Sequence, residues 1–252
     1  MHKNILVIGD SCRDVFIYCK CERLCPEAPV PLLDISEIKN NGGMAMNVYE
    51  NLKVLTPNVE ILTNNNWSDI TKTRYIDSIT NHMFIRIDHN ASNIDKFEVV
   101  RDNIDFKKYS AIIISDYNKG YLSEEDIEII SKKHPLTFLD TKKILGKWAE
   151  DISFIKINRK EYNLSYDNIK NNKTIIKKII KTIGQDGAEF NKKIFPVERV
   201  EIRDLSGAGD TFLSSLVHSY LKTNDIEKSI EIANKHATIV VQKRGVVTIE
   251  HQ

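Results

Sequence analysis

Short apolar runs, each closed by a polar or turn-forming residue, constrain this chain more than any other feature. Residues 5–8 (ILVI) and 111–115 (AIIIS) are continuous, and 136–140, 153–157 and 179–183 are similar runs of comparable length. A run without strict polar alternation is buried on both faces, as in a strand of a parallel sheet covered by helices on each side. Between the runs the period changes. A helix is predicted from about Met44 to Leu55, after the Gly42-Gly43 pair. Another is predicted from Ser123, a capping residue, to about Lys133. Its first turn holds Glu124, Glu125 and Asp126, where the positive helix end favours acids. This alternation predicts an α/β protein with a mostly parallel central sheet flanked by helices. Residues 74–79 and 83–88 alternate around Thr80-Asn81-His82 and predict a hairpin. Pro26, Pro29 and Pro31 hold the stretch after Cys25 extended.

Composition narrows the function classes. The chain has 252 residues, 41% of them hydrophobic, so it can bury a sizeable core as a single domain over residues 1–252. Its 36 Lys and Arg against 35 Asp and Glu leave a net charge of +1. That balance removes the electrostatic case for nucleic acid or a membrane surface as partner. No apolar run approaches the roughly 18 residues a spanning helix needs. MHKNILVIGD runs straight into a strand with no cleavage site, so no signal peptide and a cytoplasmic location are expected. All four cysteines, Cys12, Cys19, Cys21 and Cys25, fall within the first 25 residues. Their spacing lacks the C-x2-C pairs of a zinc ribbon; free thiols on a small sheet and a metal site both remain open, and Cys19 and Cys21 share a face if the stretch is a strand.

The C-terminal third carries the chemistry. Residues 200–203 read as extended and lead into Asp204-Leu205-Ser206-Gly207-Ala208-Gly209-Asp210-Thr211. Phe212, Leu213, Leu216, Val217, Tyr220 and Leu221 follow at helical spacing. Asn224 with Glu227 reads as a capping box for a last helix, with Ile226, Ile230, Ala233, Ala237 and Val241 on one face. Glycines at a helix start let backbone N–H groups face a ligand, and the helix adds a positive end; together they make an anion hole suited to phosphate. Asp210 in that hole either caps the helix or accepts a proton from an attacking hydroxyl. There is no G-x-x-x-x-G-K-[ST], so a P-loop is excluded. Gly207-Ala208-Gly209 is not followed by x-x-Gly and does not follow the first strand, which argues against a dinucleotide fingerprint.

The octapeptide resembles the D-x-T-G-A-G-D-T signature of ribokinase-like (pfkB-type) carbohydrate kinases, with Ser206 keeping the hydroxyl of the usual Thr. Other segments are similar to that family in the same order. Gly9-Asp10 with Asp14 resembles its opening G-D-x-x-x-D, and Gly42-Gly43 with Asn47 its G-G-x-x-x-N. Asn158 to Glu161 resembles N-x-x-E, Thr182 with Gly187 resembles T-x-x-x-x-G, and Asn234 with Lys243 and Gly245 resembles the last nucleotide helix. Within the family, Cys25-Pro26-Glu27-Ala28-Pro29-Val30-Pro31 and Ser115-Asp116-Tyr117-Asn118-Lys119-Gly120 are most similar to segments of bacterial heptose 7-phosphate kinases. So are Thr71-Lys72-Thr73-Arg74, Ile85-Arg86-Ile87-Asp88 and Asp140-Thr141-Lys142.

The resemblance implies a ribokinase-like fold with a small β-sheet lid formed by about 14–40 and 70–90. It implies ATP and Mg²⁺ as cofactors and a sugar phosphate as substrate, heptose 7-phosphate being phosphorylated at C1 in ADP-heptose synthesis. Asp210 would be the general base, and Gly207, Ala208 and Gly209 would bind the transferring phosphoryl group. Asp14, Gly43 and Asn47 would meet the sugar; Arg74, Arg86 and Lys119 would meet its phosphate. Asn158, Thr182, Gly184, Gly187 and Asn234 would line the nucleotide site, and Asn158 with Glu161 would organise Mg²⁺ through water. His236, beside Asn234, reads as a packed helix residue. A homodimer through the lid is implied, and no nucleotidyltransferase half is expected. The chain is shorter than the family pattern: the G-x-x-G-x-D segment with its helix and strand is missing after Leu62, and the helix after N-x-x-E is trimmed. A kinase for another sugar, and a trimmed non-catalytic binding relative, are the competing readings.

Overall fold

A computed structural model describes residues 4–91, 93–97 and 104–249. Its strands are β1 (Ile5–Gly9), β2 (Ser11–Lys20), β3 (Asp34–Met44), β4 (Val59–Leu62), β5 (Thr71–Asp77), β6 (Met83–His89), β7 (Ala111–Asp116), β8 (Thr137–Thr141), β9 (Phe154–Asn158), β10 (Ile179–Thr182), β11 (Ala188–Phe190) and β12 (Lys193–Phe195). Its helices are α1 (Ala45–Leu55), α2 (Glu124–Lys133), α3 (Arg159–Ile169), α4 (Lys173–Ile176), α5 (Ala208–Thr223) and α6 (Ile226–Val241).

The central sheet runs β12-β11-β10-β9-β8-β7-β1-β4. Every pairing from β4 to β10 is parallel, and β11 and β12 close the far edge antiparallel. Side chains alternate across it, as a pleated strand requires. Leu6 and Ile8 of β1 join the layer under α2 and α3, while Ile5 and Val7 join the layer under α1, α5 and α6. The expected three-layer α/β arrangement is therefore what forms. The chain leaves β1 for β4 on one side and for β7 on the other, so the sheet has a switch point beside β1. In open α/β sheets such a point opens a crevice at the carboxyl ends of the strands.

A second sheet of order β3-β2-β5-β6 stands apart. β2 pairs antiparallel with β3 and parallel with β5, and β5 pairs antiparallel with β6. The expected hairpin is there, with its first strand running from Thr71 to Asp77. It stops at Asp77 because that carboxylate accepts the N–H groups of Ile79 (2.9 Å) and Thr80 (2.6 Å), turning the chain before Ile79. Between β4 and β5 there is only a 3₁₀ turn, Trp67–Asp69.

Two local expectations are corrected. Residues 200–203 form no strand; the segment that leads to the glycine motif is irregular. Asn224 does not open the last helix. It closes α5 in the left-handed conformation (φ 52°), which Asn tolerates, and Asp225 caps α6 by accepting the Lys228 N–H. Glu227 instead pairs with Lys193. All four cysteines are free, and Cys12 and Cys19 are buried on β2, whereas Cys21 lies beyond its end.

Candidate active site

The carboxyl ends of the parallel strands and the start of α5 meet at one place. α5 begins at Gly207, whose left-handed backbone (φ 82°) suits glycine; a Cβ there would lie 2.9 Å from the Asn47 amide nitrogen. Ala208 already donates its N–H to the Leu205 carbonyl at 3.3 Å. Gly209 leaves room for Lys156, whose ammonium would be 2.9 Å from a Cβ at that position. One residue on, Asp210 is 4% exposed.

Both Asp210 oxygens are held. Oδ2 accepts from the Asn47 side-chain amide (2.7 Å) and Oδ1 from the Tyr117 hydroxyl (2.8 Å). Burial pushes the carboxyl up to about 6, against the lowering pull of Asn47, Lys156 and Tyr117 and with a further push from Asp140. The Tyr117 phenol is driven well above its usual range by burial and by Asp210, so it stays a donor. Asn47 arrives on α1, which starts after Met44, a non-glycine residue at φ 61°. A strained residue costs about 1–3 kcal/mol and persists where its surroundings over-determine it.

Tyr117 is placed by Asp10. This buried carboxylate at the end of β1 accepts the N–H groups of Tyr117 (2.7 Å), Tyr121 (3.1 Å) and Lys119 (3.4 Å), fixing the loop that follows β7. Behind the glycines, Lys156 of β9 donates to Asp140 of β8 at 2.6 Å, both nearly inaccessible. The other Asp140 oxygen is buried and has no hydrogen-bond partner among the described residues. None of Asp10, Tyr117, Asp140 and Lys156 has a site role in the sequence reading. Lys156 had one sequence signal, a charged residue inside the apolar strand FIKIN.

From this centre a cleft of about 740 Å³ extends over the ends of β8, β9 and β10. It is lined by Asp210, Gly207, Ala208 and Gly209 and also by Asn158, Thr182, Gly184, Gly187 and Asn234, so the expected catalytic and nucleotide residues share one cavity. Asn234 lines it but spends its amide on the Phe195 carbonyl at 2.7 Å. Asn158 and Glu161 form a capping box at the start of α3: the Glu161 N–H donates to Asn158 Oδ1 (2.9 Å), and the Asn158 N–H donates to Glu161 Oε2 (2.8 Å). The other Glu161 oxygen pairs with Lys142. His236 shares a hydrogen bond with Ser215 at 2.8 Å and is packed, as expected.

The expected sugar residues gather at the second sheet. Asp14 accepts from Arg74 at 3.1 Å, and Gly43 lies so close that a Cβ there would be 2.8 Å from Asp14 Oδ2. Arg86 is engaged in two bonds of 2.7 Å to Asp88, and Lys119 is exposed on the Asp10-anchored loop.

A buried carboxylate at a glycine-rich helix start, a cation behind it and a long cleft at the carboxyl ends of β8, β9 and β10 are the parts a phosphotransferase site needs. Comparison with known proteins agrees. Residues 122–252, just over half the chain, match the pfkB family carbohydrate kinase profile, and the chain belongs to the pfkB family of carbohydrate kinases. Kinases of this family use ATP. The chain is 30% identical over 295 aligned positions to the bifunctional protein HldE of Helicobacter pylori strain J99, covering 96% of this chain and 64% of that protein. HldE of Nitratiruptor is 27% identical, covering 98% of this chain and 63% of that protein. The chain thus spans just under two thirds of the curated relatives it matches. The first alignment is longer than the chain itself, so the relatives carry insertions relative to it. Among solved structures, ribokinase from Thermotoga maritima matches with a TM-score of 0.71 at 14% identity, over 97% of this chain and 94% of that one. Phosphofructokinase-2 from Escherichia coli matches with a TM-score of 0.71 at 12% identity, over 100% and 96%. No helix among the described residues is long and apolar enough to cross a membrane.

Proposed function

We propose that the chain phosphorylates a sugar phosphate, D-glycero-D-manno-heptose 7-phosphate, at its C1 hydroxyl, with ATP as donor, giving the 1,7-bisphosphate for ADP-heptose synthesis. The observation that carries this reading is Asp210, a buried carboxylate pushed up to about 6 at the junction of the nucleotide cleft and the charged second sheet. A base of that strength is mostly ionised at pH 7 yet takes a proton readily. The heptose assignment is supported by the likeness to HldE proteins over 96% of the chain and by the segments around Pro26–Pro31, Tyr117 and Lys72.

In this reading Asp210 accepts the C1 hydroxyl proton as the sugar oxygen bonds to the γ-phosphorus and the bond to the ADP oxygen breaks. Asn47 and Tyr117 hold the carboxylate towards the hydroxyl. Lys156 and the free N–H groups at the start of α5 face the charge on the transferring group. Asp14 and Gly43 shape the sugar side, and Thr182, Gly184, Gly187 and Asn234 the nucleotide side. Asn158 lines the cleft, and both Glu161 oxygens are held by the Asn158 N–H and Lys142, so the pair would meet a Mg²⁺ ion only through the waters such an ion keeps. Such an ion would neutralise charge on the nucleotide phosphates.

A homodimer through the lid is part of the proposal. The register aligns Ile38, Ile17, Tyr75 and Ile85 in one row across four strands. Ile38 (54%) and Ile85 (52%) lie exposed on that face. An apolar sheet face of this kind fits the same face of a second copy.

The test is ATP turnover with Mg²⁺ against heptose 7-phosphate, fructose 1- and 6-phosphates, ribose and adenosine. Turnover confined to heptose 7-phosphate is expected. Turnover with another sugar would reassign the substrate, and ATP binding without turnover on any would support a non-catalytic relative.

A further inference from the structure

The second sheet buries a positive charge that its own ion pairs do not cancel. The strand register sets Asn41, Asp14, Lys72 and Asp88 in one row across the four strands, beside a row of Lys39, Phe16, Arg74 and Arg86 on the same face. That face lies towards the reacting centre: the Lys72 ammonium is 5.6 Å from the centroid of the Tyr117 ring, whose hydroxyl holds Asp210. Two acids and two arginines in these rows neutralise each other. Arg74 donates to Asp14, and Arg86 donates twice to Asp88. Lys72 is left over. It is 7% exposed, and its hydrogen bonds go to sulfur, the Met44 thioether at 3.0 Å and the Cys12 thiol, both weak acceptors. A buried ammonium carries three donors and is costly to desolvate without an anion. Lys156 shows the contrast, since it is equally buried but faces the Asp140 carboxylate. On β3, across Asp14 from Lys72, the buried Oδ1 of Asn41 has no hydrogen-bond partner among the described residues.

We propose that Lys72 is the seat for the phosphate of the sugar substrate that does not react, and that Asn41 accepts from one of its hydroxyls. This rests on the reading of the chain as a sugar-phosphate kinase. It moves the phosphate contact from Arg74 and Arg86, whose guanidinium groups bond Asp14 and Asp88, to a buried cation that lies between those two acids and bonds only sulfur among the described residues. Lys119, exposed on the neighbouring loop, is free to close over the same phosphate.

The experiment compares KM for heptose 7-phosphate, for the same heptose without its phosphate and for ATP, in wild type and Lys72→Met. Methionine keeps the length of the stem and removes the charge. Wild type is expected to prefer the phosphorylated sugar. In Lys72→Met that KM should rise roughly 10- to 150-fold, the range for a lost hydrogen bond to a charged group, while the KM for ATP moves less than about threefold. A variant that keeps the wild-type preference overturns the seat and leaves the kinase reading standing. A wild type without any preference for the phosphorylated sugar overturns the sugar-phosphate reading and the seat with it. If Lys72→Met does not fold, Asn41→Asp serves. It keeps an acceptor for the hydroxyl and adds a negative charge to the row, and should raise KM roughly fivefold more for the phosphorylated sugar than for the unphosphorylated one; an equal effect on both sugars overturns the seat.

Discussion

Replacing Tyr117 with Phe removes one hydroxyl and keeps the ring that lies beside Lys72 and Lys142. The hydroxyl donates to Asp210 Oδ1 at 2.8 Å, within a site where that carboxylate is almost fully buried. A hydrogen bond to a charged group contributes about 1.5–3 kcal/mol, and one pH unit corresponds to about 1.36 kcal/mol. Losing it favours the neutral acid, so the carboxyl should move up from about 6 by roughly one to two units. The base must be ionised to work. The acidic limb of kcat/KM should therefore shift to roughly pH 7–8, cutting activity at pH 7 by about 2- to 10-fold and restoring it near pH 9. The assay is the pH profile of kcat/KM for the sugar, measured with ATP saturating. An acidic limb that stays within about 0.3 units, with activity lowered equally at every pH, would refute the argument that Tyr117 tunes Asp210.

Further outcomes test other parts of the site. Asp210→Asn should lower kcat by roughly 10²–10⁴ with ATP binding retained, checked by turnover and calorimetry. The same variant should unfold at higher denaturant at pH 7. The folded carboxyl sits above its ordinary 3.8, so its contribution is fully present below pH 4 and is lost as pH rises through about 6. The gain should be about 1–3 kcal/mol at pH 7 and vanish near pH 3.5. Lys156→Met combined with Asp140→Asn, which avoids stranding a buried carboxylate, should reduce kcat roughly 10²-fold or more in steady-state assays. Ile38→Glu should yield monomers by sedimentation at concentrations where wild type is dimeric.

Much of this was legible in the sequence for physical reasons. β1 and β7 are continuous apolar runs too short for a helix, which is the pattern of a strand buried on both faces. The glycine motif was legible because helix N-termini and phosphate chemistry place the same demands on a few adjacent residues. β3 was not marked out as a strand. Its sequence, DISEIKNNGGM, is exposed over most of its length, and an edge strand with two wet faces has no alternation to read. The two-faced character of the second sheet depends on register, which sets Lys72 beside Asp14 and Asp88 and Ile38 beside Ile17. The partners of Asp210 were hidden by distance along the chain: Tyr117 is 93 residues away and Asn47 163. Asn47 had a motif to flag it, and Tyr117 had only the segment around it. Asn224 misled because Asn suits a helix end as well as a helix start.

The central claim is that this site moves a phosphoryl group from ATP to the anomeric oxygen of a phosphorylated heptose with Asp210 as base. Phosphorus NMR of heptose 7-phosphate incubated with ATP, Mg²⁺ and either wild type or Asp210→Asn tests it most directly. A new anomeric phosphate resonance is expected to grow in step with ADP in wild type and to be nearly absent in the variant. ADP formed without that resonance, or the same resonance growing at the wild-type rate in Asp210→Asn, would contradict it.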